Sequence, residues 1–259
     1  MITLLGVGHV FNISPNIEKL IKDRMPSVVC VELDKFRYQA LVSKQTSEGA
    51  PVIYQMLSRF QKKMANKYGV DVGEEMLGAV RTAKRIGAKI AFIDVDASFI
   101  FNRFWSSMSF SEKIKFIVGA FGGIFVRKKQ VERELEKFGK DSEKYLEMFS
   151  REFPTVKEEL IDKRDAYMAK AIRTINKEHS DIVAVIGDGH ISGVSKALSD
   201  LELEIIRLKE IREMKVSRTD MDKGSGSKGK KTKIGDASTT SEVTFSYTYS
   251  DEKIDEKEK

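Results

Sequence analysis

The sequence predicts an α/β fold: a largely parallel central sheet flanked by helices, with a helical insertion between core strands. Three observations predict it. Short apolar, β-branched runs such as Ile182 to Ile186 read as strands buried on both faces, as a parallel sheet requires. Helical segments with one apolar face alternate with these runs, the pattern of right-handed βαβ crossovers. Two of the runs also end in a Gly-X-Gly turn that delivers a histidine, Gly6-Val7-Gly8-His9 and Gly187-Asp188-Gly189-His190. Glycine at a strand end lets another group approach closely, and open α/β sheets bind ligands at their carboxyl edge. The chain has 3 histidines in all. Two of them in copies of one pattern mark that edge as the candidate site.

Taken in order, Ile2 to Val7 is the first strand. A helix follows over Ser14 to Arg24, with Ser14 as candidate N-cap, Pro15 in the first turn, and Ile17, Leu20 and Ile21 as its apolar face. Pro26 ends it. Ser27 to Asp34 forms the second strand, with Glu32 and Asp34 at its carboxyl end. Asp34 to Gln45 reads as a helix carrying Arg37, and Pro51 to Tyr68 as a further helical stretch. Glu74 and Glu75 open a helix that runs to Ile86, with Gly87 past its end. Acids in a first turn also complement the helix dipole. Ala88 to Asp94 is the third strand, again ending in an acid.

From Phe99 to Glu178 the strand signals fade and helices dominate. A helical insertion is therefore expected over about residues 99–180, long enough to lie as a lid over the site. Its last helix sets Arg164 on a stripe formed by Leu160, Ile161, Tyr167, Met168, Ala171, Ile172 and Ile175. A guanidinium there needs a carboxylate or an anionic ligand. The strand before His190 is the fourth, and Leu203 to Leu208 a fifth. Composition then changes, so the expected division is an α/β domain over 1–210 and a flexible charged tail over 211–259. The tail holds a Gly/Ser/Lys linker, Gly224 to Lys231, and an isolated strand-like run, Val243 to Tyr249.

Composition narrows the function. At 259 residues the chain suits one domain with an insertion. Its 32% charged residues and net charge of +6 give a surface mixed in sign, so no nucleic-acid partner is expected. Cys30 is the single cysteine and lies in an apolar run, which excludes an internal disulfide. Met1 enters the first strand directly, so no signal peptide is expected, and the reading is cytoplasmic. The longest apolar run, Phe116 to Val126, is about half the roughly 20 residues a membrane span needs. It is apolar on nearly every face. It is read as a cap over the cleft or a homo-oligomer interface, with peripheral membrane contact as the third fate.

Gly6-Val7-Gly8 with an acid ending the next strand also fits a dinucleotide site. Phe11, however, stands where the third glycine belongs.

Several motifs together resemble the TraB/PrgY family, related in turn to Tiki metalloproteases and to erythromycin-esterase and ChaN-like proteins. They are Gly6-Val7-Gly8-His9, Val31-Glu32-Leu33-Asp34 with Arg37, and Gly73-Glu74-Glu75-Met76. Asp94-Val95-Asp96 with Arg103, Lys163 to Ala169, and Gly187-Asp188-Gly189-His190 continue the likeness to about residue 210. Val95 and Ile100 depart from it, where the family usually has arginine and threonine. The resemblance implies an α/β enzyme-like fold whose site uses His9, Glu32, Arg164 and His190. Tiki proteins cleave peptides with a divalent metal.

The expectation is thus a metal-assisted hydrolase for a peptide or other small acyl substrate. His9, Glu32 and His190 would hold Mn, Co or Zn, a two-histidine, one-carboxylate set with open positions. Arg164 would stabilise the oxyanion or hold a substrate carboxylate. Arg37, Glu75, Asp94 and Arg103 are secondary candidates. Metal-free general-base catalysis is a variant. The alternatives are a non-catalytic peptide- or ion-sensing regulatory protein and a nucleotide-cofactor-binding, Rossmann-like protein.

Overall fold

The computed structural model describes residues 1–8, 11–43, 73–96, 99, 103, 105–114, 151, 154–214 and 242–244. His9, the 51–68 and 116–126 stretches and most of the tail lie outside these residues.

Five β-branched runs make the strands β1 (Ile2–Val7), β2 (Val28–Val31), β3 (Lys89–Phe92), β4 (Ile182–Gly187) and β5 (Leu203–Ile206). A short β6 (Glu242–Thr244) follows. They form one sheet in the order β5-β1-β4-β2-β3-β6. Every pairing in it is parallel. Among the described residues the helices are α1 (Ser14–Arg24), α2 (Lys35–Ser43) and α3 (Glu74–Ile86) before β3. Between β3 and β4 come α4 (Pro154–Lys157), a π-helical segment (Glu158–Asp162) and α5 (Lys163–Asn176). Finally α6 (Asp188–Ala197) follows β4 and α7 (Leu208–Glu213) follows β5.

Alternation along each strand sorts the core into two layers. Leu5, Val7, Val29, Val31, Ile90, Phe92, Val183 and Val185 pack with α1, α3 and α7 on one face. Ile2, Leu4, Val28, Cys30, Ala91, Ile93, Ile182, Ala184 and Ile186 pack with α5 and α6 on the other. Both faces being covered explains why the strand sequences are continuous apolar runs. The chain leaves β1 toward the first face and β4 toward the second, although the two strands are neighbours. In open sheets ligands bind at the carboxyl ends of the strands where the chain reverses in this way. Burial pushes the Cys30 thiol up, so it behaves as a core hydrophobe.

Two expectations change. Ser14 is not the N-cap of α1: Ile13 holds that position, and the Ser14 hydroxyl donates across to the Glu74 carbonyl at 3.3 Å. Packing of α1 on α3 took the hydroxyl away from its own helix end. Packing on the sheet continues through α7. Leu208 and Ile211 of α7 are buried, and Asn16 donates to the carbonyl oxygens of Ile211 and Met214 at 2.5 and 3.1 Å. Within the tail, Glu242–Thr244 is not isolated but pairs with Ile90–Phe92 at the β3 edge. An unpaired strand edge offers backbone donors and acceptors to any such segment. The described parts of the expected insertion include α4, the π-helical segment and α5, while residues 115–150 lie outside the description.

Candidate functional site at the carboxyl edge of the sheet

Three acids leave the sheet at one edge: Glu32 and Asp34 after β2, and Asp94 after β3. His190 enters there from the first turn of α6, and Arg164 and Asp165 enter from α5. All but Arg164 are buried below one-tenth exposure. Paired strands end in register, so residues distant in sequence meet at this edge.

Arg164 is the hub on one side. Its Nε and Nη2 donate to Asp94 at 3.0 and 2.7 Å, Nη2 also donates to Glu32, and Nη1 donates to the Leu160 carbonyl at 3.2 Å. Each guanidinium nitrogen therefore already serves a protein oxygen, so the stripe position found its carboxylates within the chain. Arg37 adds a second cation, donating to Asp34 and Asp94. Burial opposes ionisation of Asp94, but the two guanidiniums outweigh it and hold the carboxyl below its usual range. Burial likewise works against the charge on Arg164, and Asp94 and Glu32 more than restore it.

His190 is the hub on the other side. Its Nδ1 stands 2.6 Å from Asp165 Oδ1, and its Nε2 stands 3.4 Å from Glu32 Oε1. Glu32 is fixed in turn, because its Oε2 accepts the Gly187 N–H at 2.5 Å. Burial disfavours the imidazolium, yet the Glu32 charge and the hydrogen bonds with Asp165 and Glu32 raise its pKa to about 9. The ring is thus cationic at neutral pH. The Asp165 carboxyl is itself pushed up by burial, with His190 pulling the other way.

Over residues 1–205 the sequence matches the TraB/PrgY/gumN family. The chain belongs to that family. An uncharacterized protein of Methanocaldococcus jannaschii is 31% identical over 229 residues, which cover 81% of this chain and 58% of that relative. The chain thus spans little more than half the length of the curated relative it matches.

Within this TraB-family edge the sequence-marked residues divide. Glu32, Asp94, Arg164 and His190 come together, and Arg37 joins them through Asp94. His9 lies outside the described residues. Its neighbours Gly8 and Phe11 are joined by a hydrogen bond from Phe11 N–H to the Gly8 carbonyl at 3.0 Å. Glu75 is buried in the first turn of α3, and Arg103 pairs with Glu159 of the π-helical segment at 3.0 Å. Among the described residues no three His, Cys, Asp or Glu side chains are grouped to hold a metal ion. No helix among them is long and apolar enough to cross a membrane.

Asp165, Asp188 and Arg207 were not singled out by the sequence as candidates. Asp188 accepts the Leu208 N–H at 2.8 Å and both arms of the Arg207 guanidinium at 3.0 Å, tying the second Gly-X-X-His turn to the start of α7. Gly6 leaves the space for it: a Cβ there would stand 2.3 Å from Asp188 Oδ1. The available signals were an acid beside Arg164 and a glycine, Gly193, within a helical pattern.

Proposed function

We propose that this TraB-family chain is a metal-assisted hydrolase of peptide or other acyl substrates, with His190 and Glu32 as its working groups. One observation carries the reading: a single buried imidazole is held between two carboxylates, Asp165 at Nδ1 and Glu32 at Nε2. An outer carboxylate on one ring nitrogen, with the other nitrogen facing an inner carboxylate, is the arrangement that orients a metal-ligating histidine. Charge points the same way. Glu32, Asp34, Asp94 and Asp165 are four carboxylates against the two guanidiniums of Arg37 and Arg164 and the His190 imidazolium, a shortfall of one positive charge.

The donor types fit a divalent cation such as Mn, Co or Zn, which His190 Nε2 and Glu32 would hold, with His9 as the third donor named by the sequence. Such a cation supplies Lewis acidity, polarising a carbonyl and lowering the pKa of a water. The protein's own groups do the rest. Asp165 holds the ring, Gly187 N–H and Arg164 hold Glu32, and Asp94 keeps Arg164 aimed at Glu32. Arg164 is thereby a positioning group, because its nitrogens are committed within the protein rather than offered to a substrate carboxylate.

A second reading has its own observation. The ring is protonated at neutral pH in the metal-free molecule, so His190 can act as a general acid beside Glu32. The nucleotide-cofactor reading has no such observation behind it: the positions a Cβ would take at Gly6 and Gly8 are occupied by Asp188, Ile191, Phe11 and Leu208.

The test is hydrolysis of a peptide and acyl-ester panel by purified, chelator-treated protein, before and after addition of Mn²⁺, Co²⁺ or Zn²⁺. Cleavage that vanishes with chelation and returns with metal supports the proposal. Undiminished cleavage by metal-stripped protein favours acid–base catalysis by His190. Binding of panel peptides without cleavage in any metal state favours the sensing role.

A further inference from the structure

The structure assigns Asp165 to the positioning of His190, and Gly193 to the room that this positioning requires. The inference rests on the reading of His190 as a working group and names what holds it in place.

Successive residues on an α-helix point about 100° apart. Arg164 accordingly reaches Glu32 and Asp94, while Asp165 reaches the neighbouring helix α6. There it meets two residues one turn apart. His190 offers Nδ1 at 2.6 Å, and Gly193 offers no side chain at all. A Cβ built at Gly193 would lie 1.9 Å from Asp165 Oδ2 and 2.7 Å from its Cγ. Any other residue at 193 would displace the carboxylate. Glycine inside a helix is otherwise unfavourable relative to alanine, so its place in α6 has a steric reason.

The approach to α5 contributes as well. The π-helical segment Glu158–Asp162 closes with Lys163 N–H on the Glu158 carbonyl, one residue wider than an α-turn. That extra residue turns everything after it by about 100° relative to an uninterrupted helix. With it, Arg164 and Asp165 both reach the carboxyl edge of the sheet. A carboxylate on Nδ1 then fixes the ring rotation, keeps a proton on Nδ1, and directs Nε2 at Glu32.

The experiment is proton and nitrogen NMR of ring-labelled, metal-free protein, full chain, with its 3 histidines. A buried, exchange-protected Nδ1–H bonded to a carboxylate gives a far-downfield resonance, assigned by its loss in His190→Gln and its retention in His179→Gln. The resonance is expected to vanish in Asp165→Ala and in Gly193→Ala, with far-ultraviolet circular dichroism unchanged. Gly193→Ala is the sharper variant, since it keeps the Asp165 carboxylate and changes only where it can stand. In both variants Co²⁺ binding, read by calorimetry, is expected to weaken by about 10–100-fold. A resonance that persists in either variant overturns the inference. Wild-type protein that takes up no Co²⁺ while the resonance behaves as described leaves the positioning standing and removes the metal from the proposed function instead.

Discussion

Replacing Arg164 by methionine probes the whole edge, because this one side chain joins α5 to the ends of β2 and β3. The substitution keeps the stem's bulk and deletes the guanidinium. Glu32 keeps the Gly187 N–H and His190, while Asp94, whose side chain is wholly buried, keeps Arg37. Removing one partner of a buried ion pair costs about 3–5 kcal/mol. Since Arg37 still faces Asp94, the lower end applies, about 3 kcal/mol at neutral pH. For a domain of this size that is a fall of about 6–12 °C in melting temperature. The loss should depend on pH. Asp94 has a depressed folded-state pKa, so its contribution is present above the unfolded value of about 3.9 and is lost as pH falls through the folded value. In the variant Asp94 has lost a cation and takes up its proton at higher pH. The gap between the two proteins therefore narrows as pH falls from the variant's folded value to the lower wild-type one, below the ordinary carboxylate range. Urea unfolding of both proteins at neutral pH and near that lower pH measures it. A difference below about 1 kcal/mol at neutral pH, or a gap that widens on acidification, would refute the reasoning.

Two further outcomes are expected. His190 is held cationic up to about pH 9, so in metal-free protein its stabilisation is complete below an unfolded pKa of about 6.5 and disappears as pH rises through 9. Thermal melts across that window should show wild type losing up to about 3 kcal/mol that His190→Gln does not lose, and parallel curves would contradict it. Met25 ends α1 in the left-handed region at φ 46° and is 62% exposed. Met25→Gly should relieve about 1–2 kcal/mol of strain. Subtracting the backbone entropy of glycine leaves a gain of about 0.5–1 kcal/mol, read as a small rise in melting temperature.

The sequence by itself determined the layers of this protein and the edge at which Glu32, Asp94 and His190 meet. Continuous β-branched runs can be satisfied only in a sheet covered on both faces, and glycine turns ending such runs can deliver a histidine only at the carboxyl edge. Periodicity also marked Arg164, because a guanidinium on an apolar stripe has to meet a carboxylate somewhere. Which carboxylates it meets is a different kind of fact. Strand order decides it, since β4 inserts between β1 and β2 and brings His190 against Glu32 across 158 residues of chain. Asp165 and Gly193 read locally as an acid on a helix and a weak helix former. Their meaning lies in the contact between α5 and α6, where an absent Cβ makes space for a carboxylate. Ser14 shows the same limit in reverse: a local capping signal yielded to a hydrogen bond across the helix interface. Local spacing fixes which face of an element a residue occupies. Only packing fixes what stands opposite, because hydrogen bonds and steric room belong to pairs of elements rather than to either alone.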